Sequence, residues 1–166
     1  SGGLWAGPYP DRPIKVVVPY PAGGNTDIIA REVMKELSPR LGQAIVIDNK
    51  PGANSILGTE MVAKSAPDGY TLGVVIGAYT NNASLYRKLP YRQSDLKPVS
   101  QLTRTSLVLV SALPHVSPVA DLIKTGQSKS TPQSFASSGV GSAAHLLGER
   151  MGQVAGMPAV LHVPYK

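Results

Sequence analysis

Apolar runs that end in Gly/Pro turns and lead into helical patterns are the feature that most constrains the fold of this chain. Apolar residues that are continuous, and do not alternate with polar ones, are typical of strands buried on both faces. Helical spacing of apolar residues follows several runs, as from Ile28 to Leu37. The order strand, helix, strand predicts right-handed βαβ units and an α/β fold with mainly parallel sheets. The predicted strands are Ile14–Tyr20, Ala44–Asp48, Thr71–Gly77, Ser106–Ala112, Ser134–Ser138 and Ala159–Val163.

The regular alternation weakens between Leu85 and Leu102, where the chain becomes charged and contains prolines. Such a change of composition is typical of a junction between domains. We therefore expect a first α/β lobe over residues 8–102 and a second, incomplete α/β lobe over residues 103–166.

Charge and composition exclude several classes of function. The formal charge of +6 favours anionic partners. The basic residues are scattered, with Arg87-Lys88 as the only adjacent pair, which argues against nucleic-acid binding. The absence of cysteine excludes disulfides and thiolate catalysis. No signal-peptide pattern and no apolar run long enough to cross a bilayer is present, so we expect a mature or trimmed chain.

The segment "VVVPYPAGGNTDIIAREV" contains the first candidate binding loop. Ligands in open α/β sheets bind beyond the carboxyl ends of the strands, and glycines allow close approach of the backbone. The following helix would present unpaired N–H groups, with Asn25 or Thr26 as N-cap and Asp27 in the first turn. The alternative is a tight strand-to-helix turn without a ligand.

Two further loops follow predicted strands in the same way. The stretch from Phe135 to His145 contains three serines and clustered amides suited to a carboxylate or phosphate. Its Gly139-Val140-Gly141-Ser142-Ala143-Ala144 segment also matches a dinucleotide-binding pattern, but the acidic residue expected about twenty positions later is absent. The third loop, Gly77 to Asn82, is small and polar. Solvated connections remain the alternative for each loop.

Catalytic and metal-binding patterns are lacking. His115, His145 and His162 show no metal-ligand spacing, and an isolated histidine more often caps or packs. No nucleophile elbow, zinc-protease motif or P-loop occurs. The sequence therefore favours binding without catalysis, without metal and without a cofactor.

Spaced motifs over nearly the whole chain resemble the periplasmic receptors of tripartite tricarboxylate transporter systems, the Bug or TctC-like family. These motifs are Pro10–Ile14, Val18–Asp27, Leu41–Gln43, Asn49–Ala53, Gly58, Ala66–Leu72, Leu89–Tyr91 and His162–Lys166.

The resemblance implies a type II periplasmic binding-protein fold whose two lobes hold a small carboxylic acid between them. It implies a periplasmic location and membrane transporter subunits as partners. It also implies a set of ligand-binding residues in three loops. These are Tyr20, Ala22, Gly23, Gly24, Asn25 and Asp27 in the first loop, Gly77, Ala78 and Thr80 in the floor, and Ser138, Gly139, Gly141 and Ser142 at the start of the second-lobe helix.

Two departures from the family pattern change these expectations. Ala143 and Ala144 stand where many relatives carry hydroxyl residues, which leaves fewer donors for the usual ligand. The sequence also ends at Lys166, about half-way along a family member, so we expect a truncated form. Exposed apolar faces would then favour a homodimer or swapped oligomer. The alternatives are a nucleotide-cofactor-binding enzyme domain that uses the Gly139 loop, and an interaction fragment that binds no ligand.

Overall fold

The computed structural model describes residues 9–112, 118–128, 133–157 and 160–165. The chain forms two compact units, Ser1–Leu102 and Thr103–Lys166. Among the described residues, each helix is too short or too polar to cross a membrane.

The first unit is a parallel three-stranded sheet with connecting helices. Strands β1 and β2 pair from Ile14↔Ile45 to Val18↔Asn49, and β1 and β3 pair from Lys15↔Thr71 to Val17↔Gly73, which gives the strand order β2-β1-β3. The predicted parallel βαβ arrangement is confirmed in this unit. The elements are β1 (Ile14–Val18), α1 (Asn25–Leu41), β2 (Ile45–Asn49), α2 (Ile56–Ala63), β3 (Thr71–Gly73), α3 (Ala78–Leu85) and a 3-10 turn (Gln93–Asp95).

The central strand carries the core of the first unit. Ile14, Val16 and Val18 are fully buried and form one cluster with Ala30 and Met34 of α1. Val17 points to the opposite face of β1, against which α2 packs, and its side chain is also fully buried. A continuous apolar strand is therefore required because both faces of β1 are covered.

The second unit contains a two-stranded parallel sheet. β4 and β5 pair from Ser134↔Leu161 to Ser137↔Pro164, and α5 packs against both strands. The elements are α4 (Val119–Gln127), β4 (Ser134–Ser137), α5 (Ala143–Val154) and β5 (Leu161–Pro164). The predicted strand Ala159–Val163 begins later than expected, and its residue 159 lies outside the described residues.

Most predicted strands differ from the structure by at most two residues at either end, as where β1 stops at Val18 and not at Tyr20, but two predictions need a larger correction. The run Ser106–Ala112 belongs to no strand in the described part of the chain. Its Val108 and Val110 side chains are 78% and 83% exposed, and the described β4 and β5 pair with each other, so the run lacks the covering layer that a buried strand needs. β3 also ends at Gly73, before the predicted Gly77, because β1 leads into Pro19, which has no N–H to continue the ladder.

Candidate functional site

The loop after β1 ends at an uncapped helix N-terminus. Gly24, in an extended conformation with φ −73° and ψ 162°, is the N-cap of α1 and makes no side-chain cap. The prediction that Asn25 or Thr26 caps this helix is therefore wrong, because both residues already lie inside α1. Gly23 has φ 78°, which L side chains rarely adopt, and the Gly24 amide closes a turn onto the Pro21 carbonyl at 3.3 Å.

The buried carboxylate of Asp27 stabilises this loop through hydrogen bonds. Its side chain is 3% exposed, and one carboxylate oxygen accepts from the Gly23 amide at 2.8 Å and from Arg31 Nε at 2.9 Å. The other oxygen accepts from Asn49 Nδ2 at 2.9 Å, and the same amide group donates to the Tyr20 carbonyl at 3.1 Å. The bonds from Arg31, Gly23 and Asn49 lower the pKa of Asp27 to about 2. The predicted ligand contact Asp27 thus uses its carboxylate to shape the loop.

The donors that this loop leaves open lie next to the glycines. The Gly23 and Gly24 amides bond to Asp27 and Pro21. Within residues 9–112, no acceptor lies in hydrogen-bond range of the N–H groups of Ala22, Asn25 or Thr26. The first turn of α1 therefore presents unpaired N–H groups at the positive end of the helix dipole.

The loop after β3 lies beside the first loop. Tyr20 Oη accepts from the Ile76 amide at 3.3 Å, which joins the two loops, and burial raises the pKa of the Tyr20 phenol. Ala78 is 4% exposed, and Thr80 Oγ1 donates to the Gly77 carbonyl at 2.8 Å. The structure therefore brings the predicted Tyr20 and Gly77 regions together at one edge of the sheet, with the Thr80 hydroxyl turned back onto its own helix.

A third loop at the same sheet edge, between β2 and α2, was not predicted as part of the site. Ala53, Asn54 and Ser55 have φ values of 46°, 50° and 72°, which is costly for three consecutive residues other than glycine. The fully buried Asn82 of α3 secures this segment, because its Nδ2 donates to the Asn54 carbonyl and its Oδ1 accepts from Asn54 Nδ2, both at 2.8 Å. Asn54, two residues after Gly52, was the available signal, since Asn tolerates the left-handed region.

In the second unit, the glycine loop is also held by internal acceptors. Gly139 and Gly141 have φ values of 118° and 83°. The Gly139 amide donates to Ser137 Oγ at 3.2 Å, and the Gly141 amide donates to His145 Nδ1 at 3.1 Å. Ser142 is the N-cap of α5, and its Oγ accepts from the His145 amide at 3.2 Å. The predicted contacts Gly139, Gly141 and Ser142 thus form one loop at a helix start.

The amides left open in this unit are again those of the helix's first turn. The described residues place no acceptor within hydrogen-bond range of the N–H groups of Ala143 and Ala144. Ser138, also predicted as a contact, is exposed at the start of the loop. Ala143 and Ala144 carry no side-chain hydroxyl, but their backbone N–H groups therefore remain available as donors.

The structure stacks two of the three histidines. The rings of His145 and His162 lie 3.9 Å apart between centroids, and Phe135 stacks on His162 at 4.9 Å. Burial, and then the neighbouring His145, lower the pKa of His162. The sequence did not predict this pairing, and His115 lies outside the described residues. No cluster of three or more metal-ligating side chains occurs in the described ranges.

Comparison with known proteins agrees with this architecture. The family model "Tripartite tricarboxylate transporter family receptor" matches residues 29–166. Protein BugT of Bordetella pertussis is 38% identical over 162 residues, which cover 95% of this chain and 49% of BugT. This chain thus spans about half the length of the curated relatives that it matches.

Solved structures show the same fold. Rpa4515 of R. palustris with adipate has a TM-score of 0.74 and 32% identity, and covers 95% of this chain and 54% of its own. MatC from Rhodopseudomonas palustris with bound malate has a TM-score of 0.74, 30% identity and the same coverage. The expected periplasmic-binding-protein fold with parallel sheets is confirmed. On the family model, the sequence similarity and the fold together, the chain belongs to the tripartite tricarboxylate transporter receptor family.

Proposed function

We propose that this chain is the ligand-binding part of a periplasmic receptor that binds a small carboxylic acid for a tripartite tricarboxylate-type transporter. The observation that carries the proposal is the pair of helix N-termini, α1 and α5, that follow glycine loops and keep first-turn amides unpaired. Family membership supports the periplasmic location and the membrane transporter subunits as partners. The two compact units are the two lobes of the receptor in this proposal.

Side-chain hydrogen-bond acceptors within these loops hold the glycine turns in shape, while other backbone amides stay available to an anion. The amides of Gly23, Gly139 and Gly141 are bonded to Asp27, Ser137 and His145, so the turns keep their shape without a ligand. The negative charge of Asp27 is compensated by Arg31 at 2.9 Å and does not repel a carboxylate. A carboxylate would then accept from the open amides of Asn25 and Thr26 or of Ala143 and Ala144. Hydrogen bonds to charged oxygens are about twice as strong as neutral ones.

Dicarboxylates of about four to six carbons are the first ligands to test, because the relatives in the two liganded structures hold malate and adipate. Thermal unfolding of the purified chain should be followed with mono-, di- and tricarboxylates, aromatic acids and amino acids, with NAD as a control. A ligand that binds only the folded state raises the midpoint with concentration. We expect a rise with a dicarboxylate and none with NAD. A flat response to every acid would contradict carboxylate binding by this chain.

We also propose that the chain self-associates. The run from Leu107 to Val110 exposes four adjacent apolar side chains by 54% to 83%, and contiguous apolar surface favours association. Light scattering after size exclusion should give the mass of a dimer or larger species. A monomer at all concentrations would contradict self-association.

A further inference from the structure

The stacked histidines of the second unit make contacts that carboxylate binding does not itself require. His145 of α5 and His162 of β5 lie beside the Gly139–Ser142 loop and connect to both of its glycines. His145 bonds directly to Gly141, and His162 connects to Gly139 through Ser137. Together they lie at the base of the loop that precedes α5.

The hydrogen bond at His145 fixes its protonation state. Nδ1 accepts from the Gly141 amide at 3.1 Å, so this nitrogen carries no proton and the imidazole is neutral. The proton then lies on Nε2, which faces Glu149 Oε1 at 3.8 Å. Uptake of a second proton at Nδ1 would place two donors opposite each other and break the contact with Gly141.

His162 stacks on the ring of His145 and is itself held by Ser137. Its Nε2 lies 2.6 Å from Ser137 Oγ, which also accepts from the Gly139 amide at 3.2 Å. Two protonated rings stacked at 3.9 Å would repel, so protonation of one disfavours protonation of the other. The other titratable group facing the pair is Glu149 on α5, and β4, with the sequence SFAS, carries no titratable side chain.

We infer that His145, stacked on His162, is the positioning residue of the Gly139–Ser142 loop, and that its protonation breaks the hydrogen bond from the Gly141 amide and weakens carboxylate binding at the first turn of α5. The inference rests on the proposed function for its effect on binding, while the effect on the loop stands by itself. The positive charge gained at His145 attracts an anion, but in water at 0.15 M salt this long-range term changes affinity by only about threefold. Loss of aligned amide donors to a charged oxygen lowers affinity by about tenfold or more.

The first test measures the loop in the full chain without any ligand. Amide hydrogen exchange at Gly141 should be recorded by NMR between about pH 8 and about pH 5, the range in which histidines titrate. Gly156, in the same unit and bonded to the Gln153 carbonyl, is the reference that removes the intrinsic pH dependence of exchange. We expect the protection of Gly141 relative to Gly156 to fall as His145 takes up its proton. Protection that is independent of His145 protonation would overturn the inference.

The second test uses variants that keep or remove the hydrogen-bond acceptor for the Gly141 amide and that cannot be protonated at position 145. His145→Asn places an amide oxygen near the position of Nδ1 and cannot be protonated, whereas His145→Gln places its amide near Nε2. We expect His145→Asn to keep Gly141 protected down to about pH 5. Compared with the wild type at the same pH, which cancels protonation of the acid itself, it should bind the selected acid increasingly more tightly as the pH falls. His145→Gln should lose protection at all pH values and bind about tenfold more weakly.

These outcomes separate the inference from the proposed function. If no acid of the panel binds the wild type, the proposed function fails, and exchange at Gly141 alone decides whether His145 positions the loop. If an acid binds with the same affinity in His145→Asn, His145→Gln and the wild type across the pH range, the proposed function stands and the inference is refuted.

Discussion

Asn82 is expected to be a sensitive polar position in the first unit. The side chain is fully buried and makes two reciprocal hydrogen bonds of 2.8 Å to Asn54. In Asn82→Ala, the carbonyl and the side-chain amide of Asn54 lose their partners, at about 1–3 kcal/mol for each buried group. Water reaches part of half-buried Asn54, so we take the lower part of that range and expect a loss of about 3 kcal/mol in unfolding free energy.

The assay is urea unfolding followed by circular dichroism, together with the thermal midpoint. A loss of about 3 kcal/mol corresponds to a fall in midpoint of more than about 10 °C for a unit of this size. Ser84→Ala on the exposed side of the same helix is the matched control and should stay within about 0.5 kcal/mol of the wild type. A double-mutant cycle with Asn54→Ala should give a coupling above about 0.5 kcal/mol. Additive effects, or an Asn82→Ala change as small as that of Ser84→Ala, would refute the argument.

Three further predictions follow from close approaches and from charge. Gly58→Ala, favourable by helix propensity, should lower the unfolding free energy because the new Cβ would lie 2.9 Å from the Pro19 Cα; a stability gain in urea would contradict this. Gly148→Ala should destabilise the second unit and weaken the Phe135 ring-current shifts in NMR, since its Cβ would lie 2.2 Å from that ring; an unchanged spectrum would count against it. The pKa of Asp27 is lowered from 3.8 to about 2, so its contribution to stability is complete above the unfolded value and is lost as the pH falls from about 4 towards 2. In Asp27→Asn, the thermal midpoint should therefore depend less on pH between about pH 4 and about pH 2 than in the wild type. The same pH dependence in the variant and the wild type would contradict the lowered pKa of Asp27.

The fold follows from the sequence where burial dictates the pattern. The fully buried run at Val16 to Val18 and the helical spacing after Ile28 predicted β1 and α1, because one strand with two covered faces must be apolar throughout. The apolar run Ser106–Ala112 forms no strand, since an apolar run shows only that residues could be buried and does not supply a neighbouring strand.

The site was predicted at the level of loops and not of atoms. Glycines after strands predicted loops at Gly23 and Gly139, and the structure has turns with positive φ at both residues. The sequence could not show which amides are already bonded, because the acceptors Asp27 and His145 act through side-chain directions set by packing. Contacts between distant residues, such as Asn54 with Asn82, have no local sequence signal.

The most direct test of carboxylate binding removes single amide donors without disturbing a helix. Proline is favoured at the first helical position, and the preceding residues Gly24 and Ser142 already have the extended backbone that it requires. Isothermal titration with the acid selected by the panel should compare Asn25→Pro and Ala143→Pro with Val119→Pro, the same change at the first residue of α4. We expect Asn25→Pro, Ala143→Pro or both to bind about 10- to 100-fold more weakly, according to which helix contacts the acid, and Val119→Pro to match the wild type. Equal affinity in all three variants and the wild type would contradict ligand binding by the first-turn amides.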